Sequence, residues 1–180
     1  MDDIILITKA MNLAAQKHID QRRKGANDEP YINHPAEVGY LLASTGADAV
    51  TVAAGYLHDT VEHTETTHEE ILRGFGENIS DIIKEVTDDK SLPKAERKRL
   101  QLEHAKHASP EAKQVKIADK TSNLRSLFRA PPADWDDARK LQYINWSKAV
   151  VDNCRGINPK LEACFDEAYT RVVKSLKPAA

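Results

Sequence analysis

Apolar residues recur at helical spacing along the whole of this 180-residue chain. No stretch of five or more residues alternates apolar and polar positions with β-branched bias, so the pattern points to an all-α fold. Leu6, Ala10, Leu13, Ala14 and Ile19 give one face of a helix over about 3–19. A polar loop from Asp20 to Asn33 follows, holding Arg22, Arg23, Lys24 and Gly25. Pro35 suits the first turn of a second helix, with Val38, Leu41 and Leu42 inward. A third helix runs from about Asp48 into His58-Asp59. Thr67 and Glu70 form a capping-box pattern for a short helix ending at Gly74 and Gly76. Ile79, Ile82, Ile83 and Val86 mark the next, and Pro93-Lys94 leads a charged helix to about Ala108. Ser109-Pro110 caps the helix that carries Val115, Ile117, Ala118, Asp119 and Leu124. Pro131-Pro132 breaks the chain before a helix over about 134–154, and Asn158-Pro159 opens the last. The expectation is a single all-α domain over residues 1–180, a bundle of about seven to ten helices.

The net charge of −2 supplies no general attraction to nucleic acid or anionic lipid, so an anion site must be a local cluster. Neither nucleic acid nor membrane is an expected partner. Cys154 and Cys164 fit no zinc spacing and are expected to be reduced, helix-packed residues of a cytoplasmic protein. The N-terminal apolar residues are interrupted by Lys9, Asn12 and Lys17, which reads as an amphipathic helix rather than a signal peptide. No run approaches the roughly 18 apolar residues that span a bilayer.

The chemistry concentrates in residues 55–64, where His58, Asp59, Glu62 and His63 fall within six positions. On one helix His58 and Asp59 diverge by roughly 100°, and Glu62 sits on the same face. Two candidates lie further off: His34, just before a helix start, and Asp119, on an otherwise apolar helical face. A buried Asp needs a cation or donors nearby. Together His34, His58, Asp59 and Asp119 make a mixed N/O set suited to Mn²⁺, Fe²⁺ or Zn²⁺. Taken singly, His34 also reads as a turn residue and Asp119 as a partner of Lys116 or Lys120. His18, His68, His104 and His107 lie on polar faces and read as solvated.

Several segments then match one family in order, covering roughly residues 5–150. They are Arg23-Lys24-Gly25, Tyr31-Ile32-Asn33-His34-Pro35, Leu57-His58-Asp59-Thr60-Val61-Glu62, Phe75-Gly76, Val86 to Lys90, Ala95 to Lys98, and Val115 to Lys120 with Asn123-Leu124. The chain resembles the small alarmone hydrolases, stand-alone relatives of the hydrolase domain of SpoT/Rel proteins, within the HD phosphohydrolase superfamily. In length and C-terminal half it is most similar to the animal SpoT-homologue type. The resemblance implies a helical HD domain with one Mn²⁺, Zn²⁺ or Fe²⁺ being less expected. It also implies hydrolysis of the 3′-pyrophosphate of ppGpp or pppGpp to GDP or GTP. By the same resemblance His34, His58, Asp59 and Asp119 hold the metal, and Glu62 orients or deprotonates water. Arg23, Lys24, Lys94, Asn123, Trp135, Arg139 and Tyr143 contact the nucleotide. Trp135, Arg139 and Tyr143, spaced by four, would share one helical face that stacks a base or grips phosphate.

One position departs from the family. The motif usually runs His-Asp-x-x-Glu-Asp, and here the last residue is His63. An imidazole there can donate, accept or carry charge near neutral pH, so His63 is a second candidate for proton transfer. The alternatives are an HD-type hydrolase acting on NADPH or adenine alarmones, and an alarmone-binding protein with catalysis weakened at His63.

Overall fold

The computed structural model describes residues 2–176. Among them are ten helical segments and no named strand. They are α1 (Asp3–Lys17), α2 (Asn33–Ser44), α3 (Ala49–Leu57), α4 (Thr60–His63), α5 (His68–Phe75), α6 (Glu77–Val86), α7 (Lys94–His107), α8 (Pro110–Arg129), α9 (Asp137–Asp152) and α10 (Pro159–Leu176). The loop before α2 is pinched by one isolated antiparallel bridge, Arg22 to Pro30. No helix is long and apolar enough to cross a membrane among the described residues.

The caps explain most of the boundaries. Asp48, Thr67, Ser109 and Asp136 each accept a hydrogen bond from a first-turn amide of α3, α5, α8 and α9, satisfying a donor the helix itself leaves free. Asn158 does the same for Leu161 N–H in α10. The capping box at Thr67 forms only by half. The Glu70 carboxylate turns instead to Lys17, 3.2 Å away on α1.

Helix α3 is buried nearly all round and packs against α1, α2, α6 and α8, while α8 also meets α9 and α10. This arrangement brings the C-terminal end of α3 against the start of α2 and the middle of α8, which is where the candidate site forms. Close approach of α2 to α3 depends on Gly39, where an added Cβ would strike the ring of Tyr56. Gly39→Ala is therefore expected to destabilise by about 1–3 kcal/mol through overpacking. Thermal unfolding should show Tm lowered by about 2–10 °C; an unchanged Tm would mean that Tyr56 gives way freely.

Three local expectations need correction. His18 is not solvated: it is buried, stacks on Tyr31 at 4.9 Å, and its Nδ1 meets Gln21 Oε1. Trp135 does not lie on α9, because Asp136 caps that helix and leaves Trp135 in the preceding turn. The helix expected from Asp48 also stops at Leu57, before the His58-Asp59 pair.

Candidate active site

The break after Leu57 has a side-chain cause. Two carbonyls of the last turn of α3 are taken by nearby side chains: Gly55 O accepts from His58 Nδ1 at 2.8 Å, and Leu57 O accepts from Thr60 Oγ1 at 2.7 Å. His58 keeps helical angles, but Asp59 (φ −98°, ψ −7°) becomes the N-cap residue of the one-turn α4. Glu62 and His63 are thus presented by a second short helix.

His34 from α2, Asp119 from α8 and the His58-Asp59 turn converge. One donor atom from each of His34, His58 and Asp59 lies within 4.8 Å of the others. His34 Nε2 is 3.5 Å from Asp59 Oδ2 and 3.3 Å from Asp119 Oδ1. His58 Nε2 is 3.2 Å from Asp59 Oδ2 and 4.0 Å from Asp119 Oδ1. His58 Nδ1 is committed to Gly55 O, and its buried Nε2 makes no hydrogen bond. A ring whose outer nitrogen is anchored and whose inner nitrogen is bare is what a divalent cation requires of a histidine. Two imidazoles and two carboxylates therefore fit such an ion.

The electrostatics agree. Burial disfavours charge on His58, yet the Asp59 and Asp119 carboxylates outweigh it and push the imidazole up to about 9. Burial also opposes ionisation of Asp59 and Asp119, but His58 on the first and Lys120 on the second hold both below the usual carboxylate range. His34 is moved down by burial and stays neutral, as a ligand must. Without a cation, a proton on His58 offsets part of the buried negative charge. A folded pKa of about 9 against an ordinary 6.5 means this stabilisation is complete below pH 6.5 and lost as pH rises through 9. In chelator, Tm is expected to fall across that window by on the order of 5 °C, and to fall less with a divalent ion bound. A flat profile in chelator would contradict the linkage.

Asp119 is shared rather than free. Lys116, Asp119, Lys120 and Asn123 follow helical spacing on one face of α8. Lys120 Nζ donates to Asp119 Oδ2 at 2.7 Å, and Asn123 Nδ2 donates to Oδ1. The lysine reading of Asp119 is realised at Oδ2, while Oδ1 faces His34. Asn123 Oδ1 accepts in turn from Arg23 Nη2 at 2.9 Å. Tyr31 Oη donates to Asp59 Oδ2 at 2.7 Å, and burial raises its hydroxyl pKa so that it remains a donor.

Glu62 borders the same cavity. Its Oε2 accepts from Asp88 N–H at 3.2 Å, and burial raises its carboxyl pKa. Lys90 Nζ donates to His63 Nδ1 at 3.0 Å, which leaves the His63 proton on Nε2. That nitrogen lies 3.6 Å from Glu62 Oε1 and 3.7 Å from Asp59 Oδ1.

Two larger clefts open from this floor, both bordered by His63, Trp135 and Tyr143. One, of about 650 Å³, carries Lys94, Arg97, Lys98, Lys120 and Arg139. The other, of about 500 Å³, carries Arg22, Arg23, Lys24, Lys90 and Asn123. Arg139 lies over Trp135 at 4.8 Å, and Trp135 meets Tyr143 edge-on at 5.4 Å. Every candidate site residue therefore lies on one continuous surface. Arg97, Lys98 and Tyr31 belong to it as well, though the sequence assigned them no role, and so does Lys120, read from the sequence only as a partner of Asp119. The spacing of Lys94, Arg97 and Lys98, one helical face beside a known candidate, was the available signal.

Comparison with known proteins gives a consistent placement. The HD-domain family model matches residues 10–145. The guanosine-3′,5′-bis(diphosphate) 3′-pyrophosphohydrolase MESH1 of Xenopus tropicalis is 50% identical over 169 residues, 93% of this chain and 94% of that protein. Its Homo sapiens counterpart is 48% identical over 165 residues, 91% and 92% of the two chains. A solved structure described as a metazoan ortholog of SpoT that hydrolyzes ppGpp superposes with TM-score 0.88 at 41% identity, covering 96% of this chain and 97% of that one. The chain belongs to the HD-domain family and, within it, to the MESH1-type metazoan SpoT homologues.

Proposed function

We propose that this chain is a metal-dependent guanosine-3′,5′-bis(diphosphate) 3′-pyrophosphohydrolase, acting as one HD-type catalytic unit. Hydrolysis adds water to the phosphorus next to O3′, breaks the P–O3′ bond, and yields pyrophosphate and a nucleotide with a free 3′-hydroxyl. The observation that carries this reading is the bare His58 Nε2, set with His34 and two carboxylates at the floor of a cationic, aromatic-edged groove. The names of similar proteins that match nearly the full chain support it.

His34, His58, Asp59 and Asp119 would hold the ion; their mixed N/O donors suit Mn²⁺, Fe²⁺ or Zn²⁺, and we choose Mn²⁺ among these from the family resemblance. When bound, such an ion supplies charge neutralisation at phosphoryl oxygen and lowers the pKa of water. Glu62 takes the proton of the attacking water; its raised pKa suits a base working near neutral pH. His63 Nε2–H, between Glu62 and Asp59, orients that carboxylate or passes the proton on toward O3′. Arg23 and Lys24 on one side, and Lys94 and Arg139 on the other, neutralise the two diphosphates, the arginines with a planar fork matched to phosphate. Asn123, fixed by Arg23, meets the ribose. Trp135 and Tyr143 offer the ring faces for the base.

Pyrophosphate release from ppGpp by the purified chain tests this. Release is expected in Mn²⁺, none in excess chelator, and recovery on adding Mn²⁺ back. ppGpp binding without pyrophosphate release in excess Mn²⁺ would contradict it.

A further inference from the structure

Both metal-facing imidazoles need an anchored Nδ1, and the two anchors differ. His58 uses a backbone carbonyl of its own helix, which no side-chain change can remove. His34 uses Ser122, whose hydroxyl can donate or accept. The neighbour of Ser122 settles which it does. Ser122 Oγ lies 2.9 Å from Glu37 Oε2, and Glu37 is flanked by Arg125 and Arg129, each at 3.3 Å. Glu37 is ion-paired with both guanidiniums, and a carboxylate only accepts. The single Ser122 proton must therefore go to Glu37, and Ser122 Oγ must accept from His34 Nδ1, 2.9 Å away. Nδ1 then carries the ring proton, and Nε2 presents a bare lone pair toward Asp59 and Asp119.

We infer that Glu37 and Ser122 are positioning residues that set the tautomer of His34, and so the affinity of the site for its cation. The inference rests on the metal-dependent reading above. Glu37 lies one turn beyond His34 on α2, and Ser122 one turn beyond Asp119 on α8, so the relay also ties together the two helices that bring those ligands. Neither residue borders the metal-facing cavity or the two substrate clefts. Their effect must pass through His34.

Mn²⁺ titrated into the full chain, with Kd from calorimetry, tests this in the parent, Ser122→Ala, Glu37→Leu, which leaves no acceptor for the Ser122 proton, and the double variant. Each single change is expected to weaken Kd about 10–100-fold, the usual loss when a ligand's outer hydrogen bond is removed. The double variant should be little worse than Ser122→Ala, because both act on one chain of hydrogen bonds. Saturating Mn²⁺ should restore kcat to within a few-fold. Nitrogen-15 shifts of His34 in the metal-free chain should show Nδ1 protonated in the parent and lose that signature in Glu37→Leu. If Ser122→Ala does not fold, Glu37→Leu and the His34 spectrum decide alone. A Kd within twofold of the parent, additive losses in the double variant, or an unchanged spectrum would overturn the relay. A parent that binds no Mn²⁺ would overturn the metal reading, and the inference with it.

Discussion

Asp59→Asn is expected to lose about a thousandfold in kcat while remaining folded. Asp59 Oδ2 lies 3.5 Å from His34 Nε2, 3.2 Å from His58 Nε2 and 2.7 Å from the Tyr31 hydroxyl, so it closes the cluster on one side. The amide keeps the shape, and its oxygen still accepts from Tyr31. It removes the full negative charge that draws a cation to a buried pair of histidines. Activation of water and neutralisation of phosphate by an ion are together worth several kcal/mol, and 1.36 kcal/mol is tenfold in rate. Steady-state pyrophosphate release, with circular dichroism as a control for folding, measures the effect. A folded variant with more than a tenth of parental kcat would show that Asp59 is not a ligand of consequence.

Glu62→Gln should be nearly as damaging, with a different signature. The amide oxygen can still accept from Asp88 N–H, so the backbone contact survives. What is lost is, among the described residues, the only acceptor-only group facing the cavity that is neither in the histidine cluster nor ion-paired at close range: its nearest cation, Arg97, stands 3.9 Å away. Removing a positioned general base costs about 10²–10⁴ in rate. Because Glu62 is outside the ligand set, Mn²⁺ affinity is expected to stay within a few-fold of the parent. The two variants thus separate ligand from base: one loses metal and rate, the other rate alone. Loss of Mn²⁺ binding in Glu62→Gln would move Glu62 into the coordination shell.

The fold was legible because each segment carries its own period and most carry their own cap. Ser109-Pro110 before α8 and Thr67 before α5 are local signals whose physics does not depend on the rest of the chain. The four converging residues were legible for another reason: a histidine before Pro35 and an acid on an apolar face are costly without partners. What escaped the sequence was decided across the fold. Glu70 was expected to close a capping box, but Lys17 from α1 reaches it first. His18 sits on a polar stretch, yet Tyr31 folds over it and buries it. The break at His58-Asp59 follows from side chains satisfying the carbonyls of α3, which no propensity expresses. Trp135 lies off the helix because Asp136 is the better cap. Glu37 and Ser122 are 85 residues apart and gave no signal at all.

The surroundings of His63 are compatible with the proposed hydrolysis. Lys90 holds Nδ1, so the proton is placed on the nitrogen that faces Glu62 and Asp59. An imidazole in that state donates where a carboxylate could only accept. The exchange places a donor 3.6 Å from Glu62 Oε1, and the residues His34, His58, Asp59 and Asp119 are all present beside it.

The most direct measurement is anomalous scattering at the manganese edge from crystals of the full chain grown with Mn²⁺. The account predicts one strong peak, within bonding distance of His34 Nε2, His58 Nε2, an Asp59 oxygen and Asp119 Oδ1, and absent after chelator. A peak elsewhere, or none while both imidazoles keep their places, would contradict it.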